Sequence, residues 1–330
     1  MKLFFCKVDG GNFGDDMNEW FWDDLFPEYP DIAPDTTLFG IGSILWRKNF
    51  AGCEKVLIMG SGSGYGVIPN ELPEGTQVAF VRGPRTARLL NQDAGLAITD
   101  PAAMVSTFKQ FQNLKTTNEV VFIPHVGTAK LPLNWQRIAE MAGVTYLSPA
   151  NDCHDVIRQL AGAKLVIAES LHGAIIADTF RVPWVPVAIS PTFNNHKWLD
   201  WADSLEMEIS IEEFLLSMKK IRQRLAQIKS VLIGREKTNI GQDRAKELSG
   251  GTHVAATLSE EDKTSARKWV SRLSPAIETM LISDLRRAAK LKGLLSSETI
   301  LRKRQSQILD RVDQVRNQLA LSAPAKQSRL

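Results

Sequence analysis

Short apolar runs alternate with amphipathic stretches over the first 210 positions. Leu3–Val8 reads as a strand, followed by a glycine- and acid-rich turn and a helix around Met17–Phe26. Further strands are expected at Thr37–Ile41, Val56–Met59, Val78–Val81 and Ala97–Thr99, with a helix near Thr86–Asn91. After the polar stretch Asn113-Leu-Lys-Thr-Thr-Asn118 the rhythm restarts with the β-branched run Val120–Ile123. A helix at Asn134–Ala142, a strand at Val144–Leu147, a helix at Asp152–Gly162 and a strand at Leu165–Ala168 follow. A third helix, Ser170–Phe180, leads into the strand Trp184–Ile189. Strands alternating with helices that end in glycine (Gly143, Gly162) predict parallel α/β sheet, not an antiparallel sandwich. The expectation is an α/β fold of two Rossmann-like halves, residues 1–115 and 116–210, facing each other across a cleft.

From Ser210 the texture changes, and residues 211–330 read as a basic helical extension. Ser210-Ile-Glu-Glu213 has the form of a capping box, in which the serine oxygen and the glutamate carboxylate each accept from a backbone N–H. A long helical pattern follows, Gly250-Gly251 breaks it, and Ser259-Glu-Glu-Asp starts another helix. The last helix, Glu298 to about Leu319, lines up Leu301, Ile308, Val312, Val315 and Leu319 as one apolar stripe opposite a basic face. Such a stripe packs on the body, on a second copy, or on a membrane surface.

Charge sharpens this division. Residues 1–210 hold 16 Lys and Arg against 24 Asp and Glu, and the remainder hold 24 against 13. The basic end is therefore expected to face something anionic. Three widely spaced cysteines, Cys6, Cys53 and Cys153, provide neither a disulfide framework nor a zinc site and suit a reducing compartment. The N-terminal apolar run is too short for a signal peptide, and no stretch holds 18 apolar residues. A cytoplasmic location follows as the expectation.

Four polar clusters fall at expected strand ends. Gly10-Gly-Asn-Phe-Gly-Asp-Asp-Met-Asn18 follows the first strand, where open α/β sheets bind ligands. One of Asp15 and Asp16 is accounted for by capping the next helix. The other, with Asn12, suits recognition of sugar hydroxyls. Val81-Arg-Gly-Pro-Arg-Thr86 puts Arg82 and Arg85 at a helix start, as a phosphate or carboxylate clamp would need, although a surface role is the default for either. Pro124-His125 ends the strand that opens the second half. Leu165-Val-Ile-Ala-Glu-Ser-Leu-His-Gly-Ala174 places Glu169, Ser170, His172 and Gly173 where a buried strand turns into a helix, and an imidazole there titrates near neutral pH. His196-Lys197 supplies another cation farther on, near a turn marked by Pro191. The run Gly60-Ser-Gly-Ser-Gly-Tyr-Gly66 has no GxGxxG spacing, and Pro69 and Pro73 block a following helix, so it is no dinucleotide fingerprint. It is either a flexible loop or a backbone that lets a ligand come close.

Taken together, Gly11-Asn-Phe-Gly-Asp-Asp16, Phe80-Val-Arg-Gly-Pro-Arg-Thr86, Ile98-Thr-Asp-Pro101, Ile123-Pro-His125, Glu169-Ser-Leu-His-Gly-Ala174 and Ala177-Asp-Thr-Phe-Arg-Val-Pro-Trp184 resemble the polysaccharide pyruvyl transferase family, in the branch that decorates bacterial exopolysaccharides such as succinoglycan. The likeness covers about residues 1–205. Ser170 stands where many members carry an arginine, and Gly83 where they often carry an aspartate. Arg85 or Lys197 is the candidate replacement for the missing charge.

The resemblance implies a GT-B-like fold and transfer of the enolpyruvyl carbon of phosphoenolpyruvate to two sugar hydroxyls, giving a cyclic ketal and phosphate. His172 becomes the general acid/base, with Glu169 orienting it or sharing the proton. Arg82, Arg85, Ser170, Gly173 and Lys197 are assigned to the donor. Asn12, Asp15, Asp16 and His125 are assigned to the acceptor, a lipid-linked oligosaccharide. No cofactor, metal or nucleic acid is expected. The C-terminal helices are expected to meet either the inner face of the cytoplasmic membrane or a second copy. Two other readings stay open: a GT-B-like glycosyltransferase using a nucleotide-sugar, and a non-enzymatic sugar-binding or scaffold protein of polysaccharide assembly.

Overall fold

A computed structural model of the chain describes residues 1–214, apart from 70, 191 and 192, and residues 275–322. The apolar runs form two parallel sheets. In the first, β1 (Lys2–Phe4), β2 (Thr36–Phe39), β3 (Lys55–Met59) and β4 (Thr76–Phe80) lie in chain order. A single parallel bridge from Val81 to Ala97 extends its far edge, which is all that forms of the strand expected at Ala97–Thr99. The second sheet comprises β5 (Val120–Ile123), β6 (Thr145–Tyr146), β7 (Leu165–Ala168), β8 (Trp184–Ala188) and β9 (Glu212–Glu213). Its order is β6-β5-β7-β8-β9. The chain leaves β5 in one direction and returns on its other side at β7. In sheets of this kind ligands bind at such a reversal, which here falls at the carboxyl ends of β5 and β7. The first sheet has no such reversal.

Local sequence explains the helices that flank these sheets: α1 (Phe13–Asp16), α2 (Asn18–Leu25), α3 (Pro84–Leu89), α4 (Val126–Ala129), α5 (Trp135–Ala142), α6 (Cys153–Gly162), α7 (Leu171–Thr179) and α8 (Asn195–Ser204). Asn134 and Asp152 cap α5 and α6 by accepting from the N–H groups of Arg137 and Asp155. Gly143 ends α5 in the left-handed region at φ +77°, as its place in the sequence predicts. Gly162 is needed for a different reason, because a Cβ there would lie 2.5 Å from the Lys115 carbonyl oxygen. Strands β7 and β8 are buried along their whole length, as expected for a parallel sheet covered on both faces. The three cysteines are free. Burial pushes the Cys153 thiol up to about 12, where it donates to the Phe13 carbonyl across the two halves and is chemically inert.

The capping-box reading of Ser210–Glu213 is corrected. Glu212–Glu213 instead forms β9, an edge strand parallel to β8. Phe214 is fully buried in the core of the second half, and Ile211 packs against the main core. Anchoring on both sides holds this segment extended, and the local pattern Ser-Ile-Glu-Glu cannot reveal it. The helical pattern beyond, with Gly250-Gly251 and the start at Ser259, lies outside the described residues.

Near the C-terminus the chain is helical over 275–288 (α9) and again at α10 (Glu298–Ser322). Leu281, Leu285 and Ala288 of α9 enter the core of the second half. The α10 stripe Leu301, Ile308, Val312 and Val315 is buried in the main core, together with Phe80 of the first sheet and Val166 of the second. Leu319 packs partly against it. The stripe is therefore covered by the body of the protein, so neither a second copy nor lipid is required to bury it. Among the described residues no helix is long and apolar enough to cross a membrane.

Candidate active site

The carboxyl ends of β5 and β7 carry the chemistry. Ser170 caps α7, its hydroxyl oxygen accepting from the Gly173 N–H at 3.3 Å. Gly173 is required by packing, since a Cβ would stand 2.7 Å from Ile123 Cγ2 of β5. This holds His172 in the first turn of α7, pressed on Gly14 of α1. A Cβ on Gly14 would lie 2.1 Å from His172 Nδ1. The other ring nitrogen, Nε2, faces the Asp100 carboxylate with 3.8 Å to Oδ2. Asp15, the neighbour of Gly14, is half-buried and sits within electrostatic reach of both His172 and Lys197. Burial raises its carboxyl above the usual range, against the pull of those two groups and of the Asn12 side-chain bond. Asn12 donates through Nδ2 to Asp15, and its N–H donates to Asp16 Oδ2 at 2.9 Å. Of the two acids, then, Asp16 closes the local turn and Asp15 lies within electrostatic reach of the imidazole.

Glu169 takes a different position from the one expected beside His172. Its Oε2 accepts from the His125 N–H at 3.0 Å, and its Oε1 from the N–H groups of Ile189 and Ser190 at 3.1 and 2.7 Å. Burial raises this carboxyl even so. Glu169 thereby fastens the ends of β5, β7 and β8 to one another, and Asp100 is the carboxylate that meets the imidazole. His125 caps α4, accepting through Nδ1 from the Gly127 N–H at 3.2 Å. Burial, with the Lys197 ammonium nearby, pushes the His125 imidazole down to about 3, so it is neutral at physiological pH.

Lys197 is buried at the start of α8 and donates to the Tyr65 hydroxyl at 3.0 Å. Its neighbour His196 contacts Ser63 Oγ at 2.9 Å, and burial holds it below the ordinary imidazole range, so it adds no cation. Arg82 departs from the expected donor clamp. It is 1% exposed, and all three of its nitrogens are engaged: Nε with Asp200 at 3.1 Å, one terminal nitrogen with Ser43 Oγ at 2.7 Å, and the other with the Ser63 carbonyl at 2.6 Å. Asp200 also accepts from the Thr86 N–H and hydroxyl. Arg82 thus bolts the end of β4 to α8. Arg85, partly exposed, pairs with Asp203 of the same helix at 2.7 Å.

The glycine run serves the same packing. A Cβ at Gly60 would strike Pro101 at 2.1 Å, one at Gly62 the Arg82 guanidinium at 2.1 Å, and one at Gly66 the Trp46 ring at 2.7 Å. These glycines let the protein's own side chains approach. Among the residues expected at the site, the structure gathers Asp15, His172, Lys197 and His125, and it adds Asp100 and Tyr65. Asp100 lay within the Ile98-Thr-Asp-Pro101 run, an acid before proline at an expected strand end. Nothing local marked Tyr65. Among the described residues no cluster of three His, Cys, Asp or Glu is placed to hold a metal.

Two parallel sheets, with carboxylates, imidazoles and a buried ammonium collected at strand ends beside a sheet reversal, define a parallel α/β protein whose candidate site lies where open sheets of this kind bind ligands. Residues 76–191, from β4 through the end of β8, match the family described as polysaccharide pyruvyl transferase. The chain is also 41% identical over 206 residues to the succinoglycan biosynthesis protein ExoV of Rhizobium meliloti (strain 1021). That likeness covers 62% of this chain and 65% of the relative. The two matches bear out the family resemblance carried by the motifs.

Proposed function

We propose that the protein transfers the pyruvyl carbon skeleton of phosphoenolpyruvate to two hydroxyls of a sugar in an exopolysaccharide repeat unit, with its two sheets serving as the facing halves of a GT-B-like cleft. The observation that carries this reading is His172, set at the sheet reversal opposite the Asp100 carboxylate and within electrostatic reach of Asp15, in the stretch that matches the family. Phosphoenolpyruvate is a compact anion, with a phosphate of about −1.5 to −2 charge beside a carboxylate. Lys197 supplies a buried ammonium for it, and the first turn of α7 adds N–H groups and the positive end of a helix dipole.

The chemistry needs a proton delivered to the methylene carbon and two protons removed from hydroxyls. Protonated His172 donates to the methylene, which becomes the methyl group and leaves C2 cationic. The first sugar hydroxyl bonds to C2 and gives its proton to the neutral imidazole or to Asp15. The C2–O bond to phosphate then breaks, phosphate leaves with the bonding electron pair and takes up that proton, and the second hydroxyl closes the ketal as its own proton passes to the base so freed. Donor and diol are consumed, ketal and phosphate appear, and the enzyme's protons balance.

Incubation with phosphoenolpyruvate or nucleotide-sugars and a lipid-linked oligosaccharide, followed by ³¹P NMR and mass spectrometry of the acceptor, tests this. Phosphate release coupled to acceptor ketal formation is expected, falling about 10²–10⁴-fold in His172→Ala. Consumption of a nucleotide-sugar instead would establish a glycosyltransferase, and consumption of neither donor would favour a binding protein.

A further inference from the structure

Among the described residues, two buried polar atoms at the site lack a hydrogen-bond partner and face each other: Asp100 Oδ2 and His172 Nε2, 3.8 Å apart. Buried polar groups are nearly always bonded, so a facing pair of orphans needs an explanation. We propose that Asp100 is the positioning residue for His172, holding the ring proton on Nε2 so that Nδ1 is the nitrogen that exchanges protons with substrate. This rests on the reading of His172 as the acid/base group.

Three further observations converge on it. Asp100 is fully buried, and its other oxygen is already committed, because Oδ1 accepts from the Ala102 N–H at 3.0 Å and so fixes the carboxylate plane. The segment that follows, a 3-10 turn at Pro101–Thr107, is stitched to α7. Thr179 Oγ1 donates to the Ala103 carbonyl at 2.6 Å and lies 2.8 Å from Ser106 Oγ, so acid and imidazole ride on joined elements. The opposite ring nitrogen lies on the Gly14 side, and the carboxylate of the next residue, Asp15, is within electrostatic reach of the ring. A carboxylate that accepts only from an N–H makes the Nε2–H tautomer the stable one and leaves Nδ1 basic. Catalytic hydrogen bonds are often long before substrate seats and tighten afterwards.

Asp100→Asn separates the two duties of this side chain. The amide oxygen retains the cap on Ala102, whereas its NH₂ group, turned toward Nε2, favours the opposite tautomer. The expected result is a fall in kcat for phosphate release of about 10²–10⁴-fold with KM for phosphoenolpyruvate little changed. ¹⁵N NMR of the histidines, with His172 assigned by its absence in His172→Gln, reads the tautomer directly. Wild-type protein should show a protonated Nε2 and an unprotonated Nδ1 for neutral His172, and Asp100→Asn the reverse. An unprotonated Nε2 in wild-type protein, or the same tautomer and the same kcat in the variant, overturns the proposal. The wild-type spectrum decides alone if Asp100→Asn folds poorly. It is also independent of donor identity, so failure of phosphoenolpyruvate turnover would sink the proposed reaction without touching the tautomer.

Discussion

Replacing Arg82 by alanine separates a ligand clamp from a structural bolt. The guanidinium is 1% exposed and Asp200 is fully buried, so the substitution strands a carboxylate in the interior with only its two Thr86 bonds. Breaking a buried ion pair from one side costs about 3–5 kcal/mol, because the desolvated partner is left without compensation. The Ser63 carbonyl and the Ser43 hydroxyl lose their donor in the same step. For a chain of 330 residues each kcal/mol moves Tm by roughly 1.5 °C, so a fall of roughly 4–7 °C is expected. Thermal denaturation of Arg82→Ala, Asp200→Asn and the double variant supplies the assay. The double variant should lose less than the sum of the singles, with a coupling of about 1–3 kcal/mol between groups in direct contact. A Tm within about 2 °C of wild type, together with a KM for phosphoenolpyruvate raised roughly tenfold, would refute the bolt and return Arg82 to the donor.

Asp15→Asn tests the other side of the cleft through its pH dependence. Because burial raises the folded-state carboxyl above its unfolded value, the stability Asp15 contributes is complete below the unfolded pKa and is lost as pH rises through the folded one. The variant should therefore gain Tm relative to wild type as pH rises toward neutrality while losing turnover, and a Tm difference independent of pH would remove Asp15 from the buried cluster. For the C-terminal helix, Ile308→Ala should cost about 2–5 kcal/mol, since Ile308 is fully buried. An unchanged urea midpoint would mean that the α10 stripe does not pack on the body.

Elements bounded by strong local signals were legible in the sequence. β5 and β7 fall at Val120–Ile123 and Leu165–Ala168, as their uninterrupted apolar runs predict, because a strand buried on both faces admits nothing else. β9 was not legible, because Glu212–Glu213 owes its extended form to pairing with β8 and to the burial of Phe214, and both are tertiary. The glycine run left a flexible loop and a close approach by a ligand equally open, and the structure instead brings the protein's own side chains against it. Its partners Arg82, Trp46 and Pro101 lie elsewhere in the chain.

The site follows the same division. An arginine at a helix start reads as an anion clamp until Asp200, far along the chain, takes its charge. Likewise Glu169, next but two to His172 in sequence, reads as its partner until three backbone N–H groups claim the carboxylate. What sequence adjacency cannot supply is the meeting of separate segments. Asp15 and Asp100 come from the first half, and His172 and Lys197 from the second. Their placement is set by contacts that bridge the halves: Arg82 to Asp200, Phe13 N–H to the Pro149 carbonyl, and Thr179 to Ala103. Gln305 of α10 donates to the Ala103 carbonyl as well, so the C-terminal helix braces the segment that carries Asp100. Residue types at strand ends therefore announce acid–base chemistry. The buried polar struts determine which carboxylate meets the imidazole.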